Sequence, residues 1–215
     1  MHHIAMEGST KSPSSSIYAL VALLTLLLST SHLKTCHATR SHHHDKTSTE
    51  FIRTSCGVTT YPRVCIESLS SHASAIQTNP KQLAHAALSV SLSSAQTTSA
   101  IISKLSTKHG FKSKVKGAME DCIETIGDSI DELQQSIGEV GHLSGPDFDF
   151  HMDNIQTWVS AALTDEDTCM DGFEGNALDG EIKNTVRSHV LSVAQMTSNA
   201  LALVNRLRSD HAKSP

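Results

Sequence analysis

From Pro80 to Leu207 the chain repeats apolar residues at threes and fours in four successive blocks, with glycine or proline between them. That spacing puts an apolar stripe along one side of a helix, and four stripes in one chain must bury themselves against each other. In the first block Leu83, Ala87, Val90, Ser94, Thr97, Ile101 and Leu105 point inward. Asn79 is placed to cap it, Pro80 suits its first turn, and His109-Gly110 ends it. The second runs from about Lys112 to Glu139, with Val115, Met119, Cys122, Ile126, Ile130, Leu133 and Ile137 inward. Gly141–Phe150, with Gly141, Gly145 and Pro146, reads as a loop. The third block, about His151 to Phe173, buries Ile155, Val159, Ala162, Met170 and Phe173. Past Gly172, Gly175 and Gly180, the fourth runs from about Glu181 to Leu207 on Val186, Val190, Val193, Ala200, Val204 and Leu207. Connections this short predict an all-α, antiparallel up-down-up-down four-helix bundle over about residues 80–208.

Ahead of the bundle, Thr47–His72 reads as a helical hairpin, with Gly57 and Pro62 in its turn and Cys56 and Cys65 on either side. Further upstream, Ile17–Leu28 is an apolar run of twelve residues, too short to cross a bilayer but suited to the core of a signal peptide. Cys36 and Ala38 supply small residues at the −3 and −1 positions of a cleavage site. The expected organisation is a signal peptide over 1–38, a polar His-rich linker over 39–46 and a folded domain over 47–210. The run His42-His43-His44 is taken as a solvated tail rather than a metal site, and Lys213-Ser214-Pro215 lacks the apolar tail of a lipid-anchor signal, so no membrane anchor is expected. Cleavage would leave four cysteines, Cys56, Cys65, Cys122 and Cys169, which in an oxidising compartment allow three connectivities. The preferred pairing is Cys56–Cys65 with Cys122–Cys169, because it is local within the hairpin and within the bundle.

Enzyme signatures are missing. The chain has no G-x-S-x-G, no H-E-x-x-H, no phosphate-binding loop and no dinucleotide fingerprint. Asp167–Gly172 resembles the start of a calcium loop, but Cys169 stands third and Leu178 twelfth, where oxygen ligands are required. No catalytic residue, cofactor or metal is expected. A net charge of −5 without a basic stripe argues against a nucleic-acid partner.

Charge distribution is more informative. Between Gly117 and Ile182 stand seventeen Asp or Glu and no Lys or Arg, whereas Lys104, Lys108, Lys112, Lys114 and Lys116 cluster just before. Glu124, Asp128 and Asp131 form one row opposite the apolar stripe of the second bundle helix, and Thr157, Thr164, Thr168 and Asp171 share the outward side of the third. A one-sided negative field can be a solvated surface, but its self-repulsion suits steering toward a basic partner. It also argues against direct binding of pectin, itself a polyanion.

Three motifs carry a family resemblance. Cys56-x-x-Thr59-x-Tyr61-Pro62-x-x-Cys65, the run from Trp158 through Leu163-Thr164-Asp165-Glu166-Asp167-Thr168-Cys169 to Phe173, and Ser198–Leu203 together resemble the plant invertase and pectin methylesterase inhibitor family over about residues 47–207. The resemblance implies a four-helix bundle with an N-terminal hairpin and disulfides first-to-second and third-to-fourth. It implies a secreted, cell-wall inhibitor that blocks the pectin cleft of a pectin methylesterase, or one that inhibits acid invertase. Members acting on invertase carry Pro-Lys-Phe before the third bundle helix; this chain has Pro146-Asp147-Phe148, which favours the esterase. The contact threonine before the fourth cysteine matches Thr168, and the acidic contacts after the third match Glu124, Asp128 and Asp131, with Asp171 beside them.

Overall fold

The computed structural model describes residues 46–174 and 180–213. The expected signal peptide and all but the last residue of the expected linker lie outside them. Helix α1 occupies residues 46–56 and is followed across a turn by α2, Pro62–Leu69. A 3-10 turn, Ser70–His72, and a single α-turn, α3 (Ala73–Ile76), lead into the bundle helices α4 (Pro80–Ser106), α5 (Ser113–Val140), α6 (Phe148–Gly172) and α7 (Glu181–Ala212). No strand occurs among the described residues. None of the described helices is long and apolar enough to cross a membrane.

Local chemistry accounts for the breaks. The Asn79 side-chain oxygen accepts from the Lys81 and Gln82 amides (2.9 and 3.2 Å), and Pro80 opens the first turn, so α4 starts with its free amides satisfied. Gly110, at φ 98°, turns the chain back toward α5 in a conformation that side chains disfavour. In the bundle α4 packs on α5 and α7, and α6 also packs on α5 and α7, so that α4 and α6 stand diagonally opposite. The hairpin docks through α2 on α4 and α7. One side chain clamps it there: Asn199 on α7 accepts from the Tyr61 amide and donates to the Tyr61 carbonyl, each at 2.9 Å. Two disulfides complete the frame, Cys56–Cys65 across the hairpin turn and Cys122–Cys169 between α5 and α6, where the Cα atoms approach to 4.4 Å.

The helices differ from the sequence reading in register and length. Along α4 the buried positions are Leu83, Ala84, Ala87, Leu88, Ser91, Ala95, Thr98 and Ile102, so Thr97 is exposed and Ser94, Ile101 and Leu105 are half-buried. On α5, Ser129 and Ser136 are buried where Ile130 and Ile137 were expected to be, and on α6 Met170 is only half-buried. Small residues take the innermost line because close helix axes leave no room for a branched side chain there, and the larger ones flank the seam. Helix α6 begins at Phe148, inside the expected loop, since that ring is buried and stacks on His211 with centroids 3.6 Å apart. The same contact belongs to the extra turn of α7 beyond Leu207.

Candidate functional site

Helices α5 and α6 form the seam closed by Cys122–Cys169, and the surface on either side of it carries most of the expected site residues. Glu124, Asp128 and Asp131 are exposed on α5, and Thr168 and Asp171 are exposed on α6. On α6 the hydroxyls form a ladder: Ser160 donates to the Gln156 carbonyl (2.7 Å), Thr164 to that of Ser160 (3.0 Å), and Thr168 to that of Thr164 (2.8 Å). Each donor is thus spent within the helix, and what the row offers outward is acceptor lone pairs and methyl groups. Ser160 belongs to this row and was not singled out from sequence.

Charges on this surface are uncompensated. Several acids elsewhere on the molecule have partners: Arg208 pairs with Asp153 and lies 3.8 Å from Asp149, His151 contacts Glu139, and Lys116 lies 3.5 Å from Glu120. No cation among the described residues comes within ion-pair distance of Glu124, Asp128, Asp131, Asp167 or Asp171. No cluster of three His, Cys, Asp or Glu among the described residues is arranged to hold a metal ion.

Three further carboxyl groups lie between the two rows, and sequence reasoning missed all of them. Burial pushes the Glu132 carboxyl up to about 7, with Asp165 and Asp128 adding to the effect. Burial also raises Asp165, against a hydrogen bond with Glu132. Glu132 Oε2 is shielded from solvent and receives no donor. Deeper still, Glu166 is 0% exposed. Its Oε1 accepts from Ser129 on α5 and Thr197 on α7, both at 2.9 Å, which ties three helices to one oxygen, while Oε2 has no partner. Burial drives its carboxyl up to about 8; the two hydroxyl donors oppose that and nearby Asp167 and Asp165 reinforce it. Periodicity does mark this position: Ile155, Val159, Ala162, Glu166, Cys169 and Phe173 continue one inward line. Asp147, just before α6, is exposed and its side chain makes no capping hydrogen bond.

The sequence profile of the plant invertase/pectin methylesterase inhibitor family matches residues 50–203. The chain belongs to this family. Among its relatives, the 21 kDa protein of Daucus carota is 50% identical over 165 residues, which is 75% of this chain and 86% of the carrot protein. Pectinesterase inhibitor 11 of Arabidopsis thaliana is 46% identical over 188 residues, 85% of this chain and 93% of the relative. The fold agrees with that of the family. The crystal structure of mutant form A of a pectin methylesterase inhibitor from Arabidopsis superposes with a TM-score of 0.58 at 20% identity, covering 70% of this chain and 92% of that one. Members of the family are protein inhibitors rather than catalysts, and this chain is not an enzyme.

Proposed function

We propose that the protein is a secreted inhibitor of pectin methylesterase that acts in the plant cell wall by forming a reversible complex. In this reading the signal peptide over 1–38 is removed, and the α5–α6 surface lies across the pectin cleft so that methylated galacturonan cannot reach the esterase's catalytic groups. The observation that carries the geometry is the run of unpaired carboxylates, Glu124, Asp128 and Asp131, facing the hydroxyl row that ends at Thr168 and Asp171. An uncompensated negative field of this kind steers a basic partner, and the back-bonded hydroxyls let its donors approach the helix closely. The target class is supported by relatives named as pectinesterase inhibitors at 43–46% identity. Asp147 weighs against an invertase, because an uncapped carboxylate stands where the resemblance calls for a lysine.

The test is a mixing assay. Purified protein, incubated separately with a plant pectin methylesterase and an acid invertase, is expected to lower only the esterase rate. Equimolar inhibition of the invertase with the esterase untouched would reverse the assignment.

A further inference from the structure

Charge on this chain is sorted by helix. Residues 68–119 contain six lysines and no Asp or Glu, whereas residues 118–181 contain the seventeen acids and no Lys or Arg. The first stretch builds α4 and its connection to α5; the second builds most of α5 and all of α6, the helix diagonal to α4. The expectation that the chain does not bind pectin directly comes from the acidic field, and α4 contributes no carboxylate to it.

Two adjoining hollows follow the outer side of α4. One, of about 400 Å³, lies between α4, α7 and the 3-10 turn and includes His72, Ser89 and His189 in its lining. The other, of about 490 Å³, shares Ser93 and Thr97 with it and ends at Lys104. No carboxylate and no aromatic ring of Phe, Tyr or Trp lines either hollow. Ser89 Oγ and Thr97 Oγ1 donate to carbonyls four residues earlier (both 2.8 Å), so they face outward as acceptors, which is what the hydroxyls of a sugar ring require. From Ser89 to Lys104 this path is about 22 Å long at the rise of an α-helix. It then reaches the connection around Gly110, where Lys108, Lys112, Lys114 and Lys116 are all exposed. Of these lysines and Lys104, only Lys116 has a carboxylate partner among the described residues, Glu120. The same end of the bundle also carries Glu174 and Glu181, on the α6–α7 side.

We propose that α4 and the α4–α5 connection bind an extended polyuronate, a sugar chain bearing free carboxylates. Lysines take the carboxylates and the Ser/Thr groove takes the ring hydroxyls. A single-stranded nucleic acid fits less well, since its bases need aromatic platforms that the groove lacks. The choice of a polyuronate among anionic glycans rests on the cell-wall reading above. Because α4 is diagonal to α6, this surface can hold the polymer while the α5–α6 surface remains free, which would keep the inhibitor where de-esterified pectin has accumulated.

The experiment measures binding of the mature protein to immobilised polygalacturonate, fully methyl-esterified pectin and single-stranded DNA at low and physiological salt. A second arm measures binding to immobilised esterase. The variant is Lys104→Gln/Lys108→Gln/Lys112→Gln, three exposed positions whose change leaves the core intact. Wild type is expected to bind polygalacturonate, more weakly at higher salt, and to ignore the methyl ester. The variant is expected to lose about ten-fold in affinity for the polymer and nothing for the esterase. Equal polymer binding by variant and wild type, no polymer binding by wild type, or DNA binding as tight as polyuronate binding would each overturn the inference. Wild-type protein that binds polygalacturonate but not the esterase would strike the proposed function and leave this site standing.

Discussion

Glu166→Gln isolates the energetic role of the buried carboxyl. In the folded protein Glu166 holds its proton up to about 8, while in the unfolded chain it returns to the ordinary glutamate value of 4.5. A raised folded-state value means that the folded form binds the proton more tightly. The stability it confers is therefore complete below 4.5 and is lost as pH rises through 8. Between pH 5 and pH 8.5 the loss amounts to about 4 kcal/mol, at 1.36 kcal/mol per unit of pKa difference. Glutamine keeps an oxygen for Ser129 and Thr197, and cannot ionise. Its amide puts two partnerless N–H donors where the protonated acid has one O–H at Oε2, which costs about 1–2 kcal/mol at any pH. The variant should therefore be slightly less stable than wild type at pH 5 and about 3 kcal/mol more stable at pH 8.5, once the constant amide cost is set against the ionisation that wild type suffers. The Glu132–Asp165 pair slopes the same way in both proteins. Urea unfolding followed by circular dichroism at the two pH values measures this. Parallel pH dependence in the two proteins would show that Glu166 does not carry the proton.

Thr168→Ala should cost about 1–2 kcal/mol of affinity for the esterase by removing an exposed acceptor; surface plasmon resonance would refute this with unchanged binding. Asp128→Asn should mainly slow association, with an effect that shrinks as salt rises, and should bring Glu132 down toward its ordinary range, which carboxyl NMR titration would detect. Asn199→Ala leaves the Tyr61 amide and carbonyl without their partner and should destabilise the protein by about 2–3 kcal/mol. Hydrogen exchange should then quicken in residues 46–69, and uniform exchange would count against the clamp. Replacing Cys122 and Cys169 by serine should lower stability by about 4 kcal/mol, against about 2.5 kcal/mol for the Cys56–Cys65 pair, because their sequence separations are 47 and 9. Thermal unfolding that ranks the two the other way would contradict the loop argument.

The bundle was legible in the sequence because its punctuation is local. Asn79-Pro80, Gly110 and Gly180 mark helix ends through caps and backbone angles that no distant residue can change. Which side chains lie innermost was less legible. Ser129, Ser136, Ala95 and Thr98 are buried because neighbouring helices come close, and that distance is set by residues far away in sequence. Hydrophobicity alone favours Ile130 and Ile137, one residue off the seam. Glu166 was hidden for a related reason. A carboxyl inside the run Asp165-Glu166-Asp167 reads as solvated until Ser129 and Thr197, on two other helices, arrive to meet it. The exposed rows on α5 and α6 follow from the helix period alone, whereas the partners that silence other acids, such as Arg208 for Asp153, come from the distant end of α7.

The clamp between Tyr61 and Asn199 spans 138 residues, and that separation imposes an order on biogenesis. A ribosome delivers the hairpin first, and its cysteines, nine residues apart, can be oxidised while the rest of the chain is still being made. Yet α4 offers only half of its docking surface, and the hairpin is not clamped until α7 has emerged. A nascent chain therefore carries a covalently closed but unclamped hairpin through most of its synthesis, with Ile52 and Leu69 still awaiting full burial. Helix α7 both completes the bundle and covers its hairpin, so a chain truncated before Asn199 would leave the ribosome with the hairpin's apolar surface open to chaperones and to other chains.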